Sequence, residues 1–243
     1  MHPRVMTPAS IHRVTTLELR YEPRPWPFAD TRRAEISAHF AAKQREKPAI
    51  WNGHVLLARD PVLVEAQLSA RYFDADFASF LAWRDWGFPD KEVFNGFGMG
   101  ALRASDGAFV LGEMNQHTAN AGRIYFPAGT PEPGDIRDGA VDLAGSILRE
   151  MEEETGLRPD DYTIDPGWYC VRSGAAIALL RLLVADCPGE ELKERIEANL
   201  ASQTRPELAA IHLVRETSEL RGELGAAMPR YVTAFIEHQL GSE

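Results

Sequence analysis

Cysteine and long apolar runs are scarce in this sequence. Two of its 243 residues are cysteines, Cys170 and Cys187, and they fit neither a metal-ligand spacing nor a disulfide framework. We expect both to be reduced and buried in a cytoplasmic protein. The longest uncharged apolar stretch, near residues 175–180, is too short to span a bilayer. The N-terminal residues contain no continuous apolar segment, so a secretory signal is not expected.

An excess of positive charge is also absent. The formal net charge is −10 and the sequence pI is about 5.2. A protein that binds duplex nucleic acid along its backbone needs a basic patch, and no basic run is visible. Anionic small molecules stay compatible with this charge if a bound metal ion reverses the local field. The chain is long enough to bury a sizeable core.

Three glutamates near the middle of the chain are the most informative feature. Glu150, Glu153 and Glu154 stand at helical positions i, i+3 and i+4, so their carboxylates share one face. Like charges at this spacing repel each other and destabilise an isolated helix. A cation is therefore expected on that face, and clustered carboxylate oxygens suit Mg²⁺, Mn²⁺ or Ca²⁺. The alternative is a solvated acidic helix, the usual state of a charge run.

The residues around these glutamates predict a capped, amphipathic helix. Asp142 is expected to be its N-cap, and Gly156 is expected to end it in the left-handed conformation. A Gly/Pro-rich loop, residues 127–135, precedes the helix. The opposite face is apolar and should pack against a core, through Leu143, Ala144, Ile147, Leu148, Met151 and Thr155.

This loop and helix resemble the signature of the Nudix (MutT-like) hydrolase family, G-x5-E-x7-R-E-U-x-E-E-x-G-U, in which U is apolar. Gly129 matches the first glycine of that signature. The second half matches at every fixed position, through Arg149, Glu150, Met151, Glu153, Glu154, Gly156 and Leu157. A match at so many fixed positions is highly specific.

Two features depart from the signature. Asp135 replaces its first glutamate, and thirteen residues, 136–148, separate Asp135 from Arg149 where the signature has seven. The extra residues include the turn signal Asp138-Gly139, which predicts a longer loop beside the N-terminus of the helix. Such a loop either contributes to substrate choice or is a tolerated surface insertion.

The resemblance implies an α/β fold, the Nudix α/β/α sandwich with a mixed sheet, over residues 96–243. Residues 1–95 are expected to form an appended N-terminal α/β region. Periodicity and turn signals predict strands at 14–21, 97–104, 108–114, 122–127, 168–171, 176–185 and 208–214. Helices are predicted at 76–86, 190–203, 229–240 and, with Asp30 as N-cap, at 31–46.

The resemblance also implies a site. Glu150, Glu153 and Glu154 are expected to bind Mg²⁺ or Mn²⁺, and the backbone carbonyl of Ala128 is implied as a further ligand. The family takes one more acid from a loop outside the signature. Glu207 is the candidate because it directly precedes a predicted strand, and its alternative is an ordinary solvated glutamate. Either Glu207 or a signature glutamate is expected to be the general base.

Other side chains have a structural and a functional interpretation. Arg149 lies about 100° around the helix from Glu150, so it either orients a carboxylate or forms a surface ion pair. His117 and His212 have no partner at a recognisable spacing and are expected to be structural. An aromatic group is expected to be core rather than a base-stacking platform; it comprises Trp83, Trp86, Phe88, Phe94 and Phe97.

Together these features predict a metal-dependent hydrolase that cleaves the diphosphate linkage of a nucleoside diphosphate joined to another moiety X. UDP-sugars, CoA derivatives and ADP-ribose are the substrate classes left open. The alternative is a catalytically silent Nudix domain that serves as a ligand sensor or interaction module. The expected partner is a small nucleotide diphosphate, with no nucleic-acid duplex and no membrane, and a homodimer is left open.

Overall fold

The computed structural model describes residues 9–241. Fourteen strands of this part of the chain join in one sheet. The first seven strands are Ser10–Val14 (β1), Thr16–Tyr21 (β2), His54–Val64 (β3), Gln67–Asp76 (β4), Val93–Arg103 (β5), Phe109–Met114 (β6) and Ile124–Tyr125 (β7). The others are Ala128–Gly129 (β8), Ile136–Arg137 (β9), Ala140–Val141 (β10), Thr163–Ile164 (β11), Trp168–Ser173 (β12), Ala176–Val184 (β13) and Leu208–Val214 (β14).

The described part of the chain contains seven helices. They are Pro27–Thr31 (α1), Arg33–Glu46 (α2), Phe77–Asp85 (α3), Leu143–Thr155 (α4), Gly189–Ser202 (α5), Glu223–Ala227 (α6) and Arg230–Leu240 (α7). Of these, α3, α4, α5 and α7 pack directly on strands of the sheet. Short 3-10 turns cover Pro133–Asp135, Pro159–Asp161 and Thr217–Leu220. None of these helices combines the length and the apolar character that crossing a membrane requires.

The sheet is mixed. Its main path runs β1-β12-β13-β5-β3-β4-β2-β10-β9. Most neighbours are antiparallel, but β2 runs parallel to β4 and β5 runs parallel to β13. The predicted α/β class with a mixed sheet is confirmed.

Strand β5 is the central element because it pairs on several sides. It pairs with β13 along nine residues, and it also contacts β3, β6 and β8. Its side chains between Phe97 and Leu102 are buried, as expected for a strand covered on both faces. The helix that carries the glutamates, α4, packs on this strand, so β5 fixes the position of the candidate site.

The N-terminal strands are hydrogen-bonded to the rest of the sheet. β1 pairs with β12, β2 pairs with β10, and β3 pairs with β5. A separate hydrophobic cluster lies under α1, α2 and α3, with Trp26, Phe73 and Trp83 among its buried members. The proposed boundary between residues 95 and 96 falls inside β5, and a division of the chain into two domains there stays a prediction.

Local expectations agree with the structure at most elements. The strand predicted at 208–214 is β14, and the helix predicted at 76–86 is α3 with Asp76 as N-cap. The strand predicted at 14–21 is instead two strands, because the N–H of Thr15 leaves the ladder and donates to the carbonyl of Ala66. Asp30 does not cap the helix predicted at 31–46; it lies within α1, and α2 begins at Arg33.

The cysteines are both free, but only one is fully buried. Cys170 lies in the core, and burial raises the pKa of its thiol to about 11. Cys187 is half-buried, so the expectation that both are buried is wrong for this residue. It lies at the end of the β13–α5 connection, where its carbonyl accepts a hydrogen bond from the N–H of Ser105.

Candidate active site

Helix α4 begins and ends as its sequence predicts. The side chain of Asp142 accepts a hydrogen bond from the N–H of Gly145 at 2.9 Å and caps the N-terminus. Gly156 follows the last turn with φ of 76°, a left-handed conformation that costs a glycine little. A Cβ at Gly156 would also lie 2.6 Å from the side-chain carboxamide of Asn199, so α5 packs closely against this end.

The apolar face of α4 packs against glycines of β5. A Cβ at Gly98 would lie 2.8 Å from Ile147, and one at Gly100 would lie 2.8 Å from the sulfur of Met151. The missing side chains let the helix lie close to the strand. Of the predicted apolar face, Leu143, Ile147, Met151 and Thr155 are buried, and Ala144 and Leu148 are half-buried.

The three glutamates differ sharply in exposure. Glu154 is buried at 4% relative exposure, the side chain of Glu150 is 14% exposed, and that of Glu153 is 60% exposed. The exposure of the carboxylates on this face therefore increases from Glu154 through Glu150 to Glu153. Glu150 and Glu154 lie in an environment that penalises charge, whereas Glu153 remains hydrated.

Burial and mutual repulsion dominate the electrostatics of the inner pair. Burial, with the charges of Glu153 and Glu207, raises the pKa of Glu150 to about 7 although Arg149 acts in the opposite direction. Burial and the charges of Glu150 and Glu207 raise the pKa of Glu154 well above its usual range. Within the described residues, Oε2 of Glu154 is buried without a hydrogen-bond partner. Such a group is costly unless a cation compensates it.

Arg149 contacts the carboxylates on the outer side of this cluster. Its guanidinium lies 2.8 Å from Oε1 of Glu150 and 3.4 Å from Oε2 of Glu153. The structure thus places Arg149 against a signature carboxylate, the geometry that an orienting role requires. Among the described residues, this guanidinium pairs with Glu150 and Glu153 and forms no ion pair with the buried Glu154.

Asp135 lies against Arg149 and not among the inner carboxylates. It is 6% exposed, its Oδ1 lies 3.5 Å from Nη2 of Arg149, and its Oδ2 accepts a hydrogen bond from the N–H of Glu132 at 2.9 Å. The aspartate at this signature position therefore fixes the Gly/Pro-rich loop and supports the arginine.

The lengthened spacer is a small hairpin rather than an open loop. Asp138 and Gly139 turn the chain with positive φ values, and β9 and β10 pair on either side of them. β10 continues onto β2, and the N–H of Tyr21 donates to the carbonyl of Gly139 at 2.8 Å. The extra residues thus form two short strands that extend the edge of the N-terminal strands, so the insertion has a structural role.

The short strand β8 at the start of the Gly/Pro-rich loop brings backbone close to the carboxylates. Ala128 and Gly129 form β8, which pairs with β5 at Met99 and Gly98. A backbone hydrogen bond from Ala128 partly offsets the rise in the pKa of Glu154. The expected carbonyl ligand thus belongs to a residue whose backbone lies at the inner carboxylate.

Glu207 approaches the same cluster from another segment. It directly precedes β14, and its carbonyl accepts a hydrogen bond from the N–H of Asn115 at 2.7 Å. Its side chain is exposed, and its charge raises the pKa of both Glu150 and Glu154. The structure therefore brings the predicted loop acid to the signature glutamates.

No group of three His, Cys, Asp or Glu side chains in residues 9–241 is close enough together to enclose a metal ion as the side chains lie. The donor chemistry nevertheless fits a hard divalent cation, because carboxylate oxygens converge on one region and a buried one has no partner.

A cleft of about 490 Å³ opens beside Glu207. Its walls include Glu132 from the Gly/Pro-rich loop and Trp51, whose side chain is 75% exposed. The spacing of the sequence identifies neither Glu132 nor Trp51 as a site residue. For Trp51 the signal is structural: its side chain is exposed and its ring lies against Gly53. We call this space the acidic cleft because two carboxylates, Glu132 and Glu207, face one guanidinium, Arg205, among its described lining residues. Its other walls include Ile50, Trp51, Phe77 and His117.

The other side chains considered from sequence have structural surroundings. Trp83 is fully buried and donates its indole N–H to the carbonyl of Asp90, and Phe97 is buried as well, so both are core as expected. Trp86, Phe88 and Phe94 are half-buried and pack against the margins of the two hydrophobic clusters. His212 lies 2.9 Å from a carboxylate oxygen of Glu113 on the neighbouring strand. His117 lines the acidic cleft.

No protein-family model and no curated protein sequence matches the chain. Among solved structures it is similar to RenU, a Nudix hydrolase from M. smegmatis, at 12% identity over 60% of this chain and 83% of that chain, with a TM-score of 0.37. The MutT protein of Methanosarcina mazei Go1 is 16% identical over 60% of this chain and 91% of that one, with a TM-score of 0.37.

A further similar structure is the bifunctional NMN adenylyltransferase/ADP ribose pyrophosphatase of Francisella tularensis, determined with AMP and a manganese ion. It is 14% identical over 67% of this chain and 45% of that chain, with a TM-score of 0.41.

Proposed function

We propose that this protein is a divalent-cation-dependent diphosphohydrolase that cleaves a nucleoside diphosphate joined to a moiety X. The observation that carries the proposal is the burial of two neighbouring carboxyl groups, those of Glu150 and Glu154. Burial and the nearby negative charges raise the pKa of both. Arg149 contacts only the outer side of this pair. A site that concentrates uncompensated carboxylates is suited to a hard cation.

The residues that would hold the cation are Glu150, Glu153 and Glu154, with the carbonyl of Ala128. A divalent cation bound there supplies the charge neutralisation that lets water attack a diphosphate in an acidic protein. The protein's own contribution is to fix its ligands. Arg149 holds Glu150 at 2.8 Å, and Asp135 supports Arg149 from the other side.

The reaction itself is a hydrolysis. The oxygen of a water molecule forms a new bond to phosphorus while the bridging P–O bond breaks, giving a nucleoside monophosphate and phosphorylated X. The proton of that water passes to a carboxylate. The general base is either Glu207 or one of the signature glutamates. Glu207 is a candidate because it lines the acidic cleft and its charge acts on Glu150 and Glu154.

The acidic cleft is the proposed site for one half of the substrate. The exposed face of Trp51 offers a surface on which a nucleobase can stack, and stacking accepts any base. UDP-sugars, CoA derivatives and ADP-ribose all present a base joined to a diphosphate, so all three classes remain in the proposal.

A catalytically silent sensor is the second candidate, and the retained glutamates disfavour it. The deciding experiment is a screen of UDP-sugars, CoA derivatives, ADP-ribose and free nucleotides with Mg²⁺ or Mn²⁺, followed by product masses. Hydrolysis that Glu154→Gln reduces about 100-fold or more supports the enzyme. The matched control is Glu152→Gln on the same helix, whose exposed side chain pairs with Arg158.

Binding of one of these compounds without any product, in the presence of either metal, would favour the sensor. Equal losses in Glu154→Gln and Glu152→Gln would point to general damage to α4 and would count against the proposed roles.

A further inference from the structure

A second cleft, of about 740 Å³, carries a charge opposite to that of the protein. Among the described residues, four cationic side chains and no carboxylate line it, although the formal net charge of the chain is −10. We call it the basic cleft; its cations are Lys47, Arg84, Arg123 and Arg230. They come from four separate segments, so no run of basic residues in the sequence reveals them.

Two of the four cations, Lys47 and Arg123, form no ion pair with a carboxylate among the described residues, whereas the other two do. Arg84 and Arg230 pair with Asp85 and Glu237, at 3.2 Å and 2.8 Å. Lys47 donates to a neutral backbone carbonyl, that of Thr118. The exposed guanidinium of Arg123 has no ion-pair partner in residues 9–241.

The basic cleft is adjacent to the carboxylate cluster. Tyr125 lines the cleft, and its hydroxyl accepts a hydrogen bond from Asn120 at 3.1 Å. Burial raises the pKa of Tyr125, and the charges of Glu154 and Glu207 add to that rise. Tyr125 therefore lines the basic cleft and is also close enough to Glu154 and Glu207 for their charges to act on it.

The chain between β6 and β7 separates the two clefts. His117 and Thr118 line the acidic cleft, Asn120 and Arg123 line the basic cleft, and Ala119 lines both. The two clefts therefore adjoin each other at Ala119, on either side of this segment. Lys47 ties α2 to this segment through Thr118, so the wall between the clefts is anchored to the N-terminal half.

We propose that the basic cleft binds a third phosphate of the substrate, a phosphate monoester carried outside the diphosphate. This inference rests on the proposed function and narrows its substrate class to nucleoside diphosphate derivatives that bear such a phosphate. The diphosphate itself is assigned to the carboxylates and their cation. Guanidinium groups suit the remaining anion, because their planar N–H donors match phosphate oxygens.

The turnover test uses substrate pairs that differ by one phosphate monoester. CoA is compared with dephospho-CoA, and NADP⁺ with NAD⁺, each with Mg²⁺. The ratio of kcat/KM values should favour the phosphorylated member by roughly tenfold or more, the worth of one charged hydrogen bond. Arg123→Gln should bring that ratio close to one. The control Arg20→Gln, which removes an exposed arginine of β2, should leave it unchanged.

A binding test separates failure of this inference from failure of the proposed reaction. Adenosine 3′-monophosphate and adenosine, which differ by one phosphate monoester, are titrated into metal-free protein by calorimetry. The monophosphate should bind roughly tenfold more tightly than adenosine, and Arg123→Gln should remove the difference.

The turnover ratio decides if any substrate pair is hydrolysed, and calorimetry decides if none is. Hydrolysis with equal kcat/KM values within each pair would overturn the third-phosphate site and leave the hydrolase intact. A ratio that Arg123→Gln does not change would overturn it as well. A tenfold binding preference that depends on Arg123, without any hydrolysis, would support the site and contradict the enzyme.

Discussion

A Cβ atom at Gly129 would lie 2.7 Å from the carboxyl carbon of Glu150. Gly129, the first glycine of the signature, therefore leaves the space that the carboxylate of Glu150 occupies. Gly129→Ala should displace Glu150 and lower kcat/KM by about 10-fold or more, with a loss of about 1–3 kcal/mol in the free energy of unfolding from overpacking. Steady-state kinetics and chemical denaturation measure the two effects.

Gly134→Ala in the same loop is the matched control. Its Cβ would meet only the flexible end of Glu132, at 3.3 Å, so activity should stay within about twofold of wild type. Similar kinetic losses in the two variants would show that the loop tolerates no side chain anywhere, and the specific role of Gly129 would be refuted.

Binding of a divalent cation should stabilise the protein through Glu154. Mn²⁺ at about 100 times its Kd should add about 2.7 kcal/mol, which for a chain of this size raises Tm by roughly 5–10 °C. Glu154→Gln should remove most of this increase, whereas Glu152→Gln should retain it. A melting curve unaffected by millimolar Mn²⁺ in the wild type would contradict a metal site at α4.

Asp135 should act through Arg149 rather than on the substrate. Asp135→Asn and Arg149→Lys should each lower kcat with little change in KM, because neither is placed at a cleft wall. Their effects should not add in the double variant, since both disturb one contact. A double-mutant cycle in kcat measures this, and full additivity would argue that the two residues act independently.

Asp76 should stabilise the N-terminal half in a pH-dependent manner. Its carboxylate caps α3 and accepts hydrogen bonds from Ser79 and Arg33. Burial acts to raise the pKa of Asp76, but the hydrogen bonds from Arg33 and Ser79 outweigh it and lower the pKa. The contribution is therefore complete above the ordinary carboxyl pKa of 3.8 and is lost as the pH falls through the lowered value.

Asp76→Ala should cost about 1 kcal/mol at pH 7, and the difference from wild type should shrink in denaturation curves below about pH 4. Asp74→Ala, two residues before the cap on β4, removes a carboxylate that pairs with His54 and provides the control for a lost charge. A cost for Asp76→Ala that is constant down to pH 3 would exclude the capping carboxylate as its source.

The sequence by itself determined the features that depend on neighbouring residues. The helix α4, its cap at Asp142 and its end at Gly156 follow from side-chain chemistry and periodicity within a few turns. The hairpin between β5 and β6 and the strand β14 follow from turn residues and alternation. The contact of Arg149 with Glu153, one helical turn further on, is likewise a consequence of helical spacing.

Only the tertiary structure decided how distant segments meet. The pairing of β1 with β12 and of the spacer hairpin with β2 joins residues far apart in the chain, and several registers satisfy the same local pattern. The burial of Glu154 beside the exposed Glu153 depends on the strand that covers the helix. The four cations of the basic cleft are scattered in sequence, and their shared field exists only because the fold brings their side chains to one cavity.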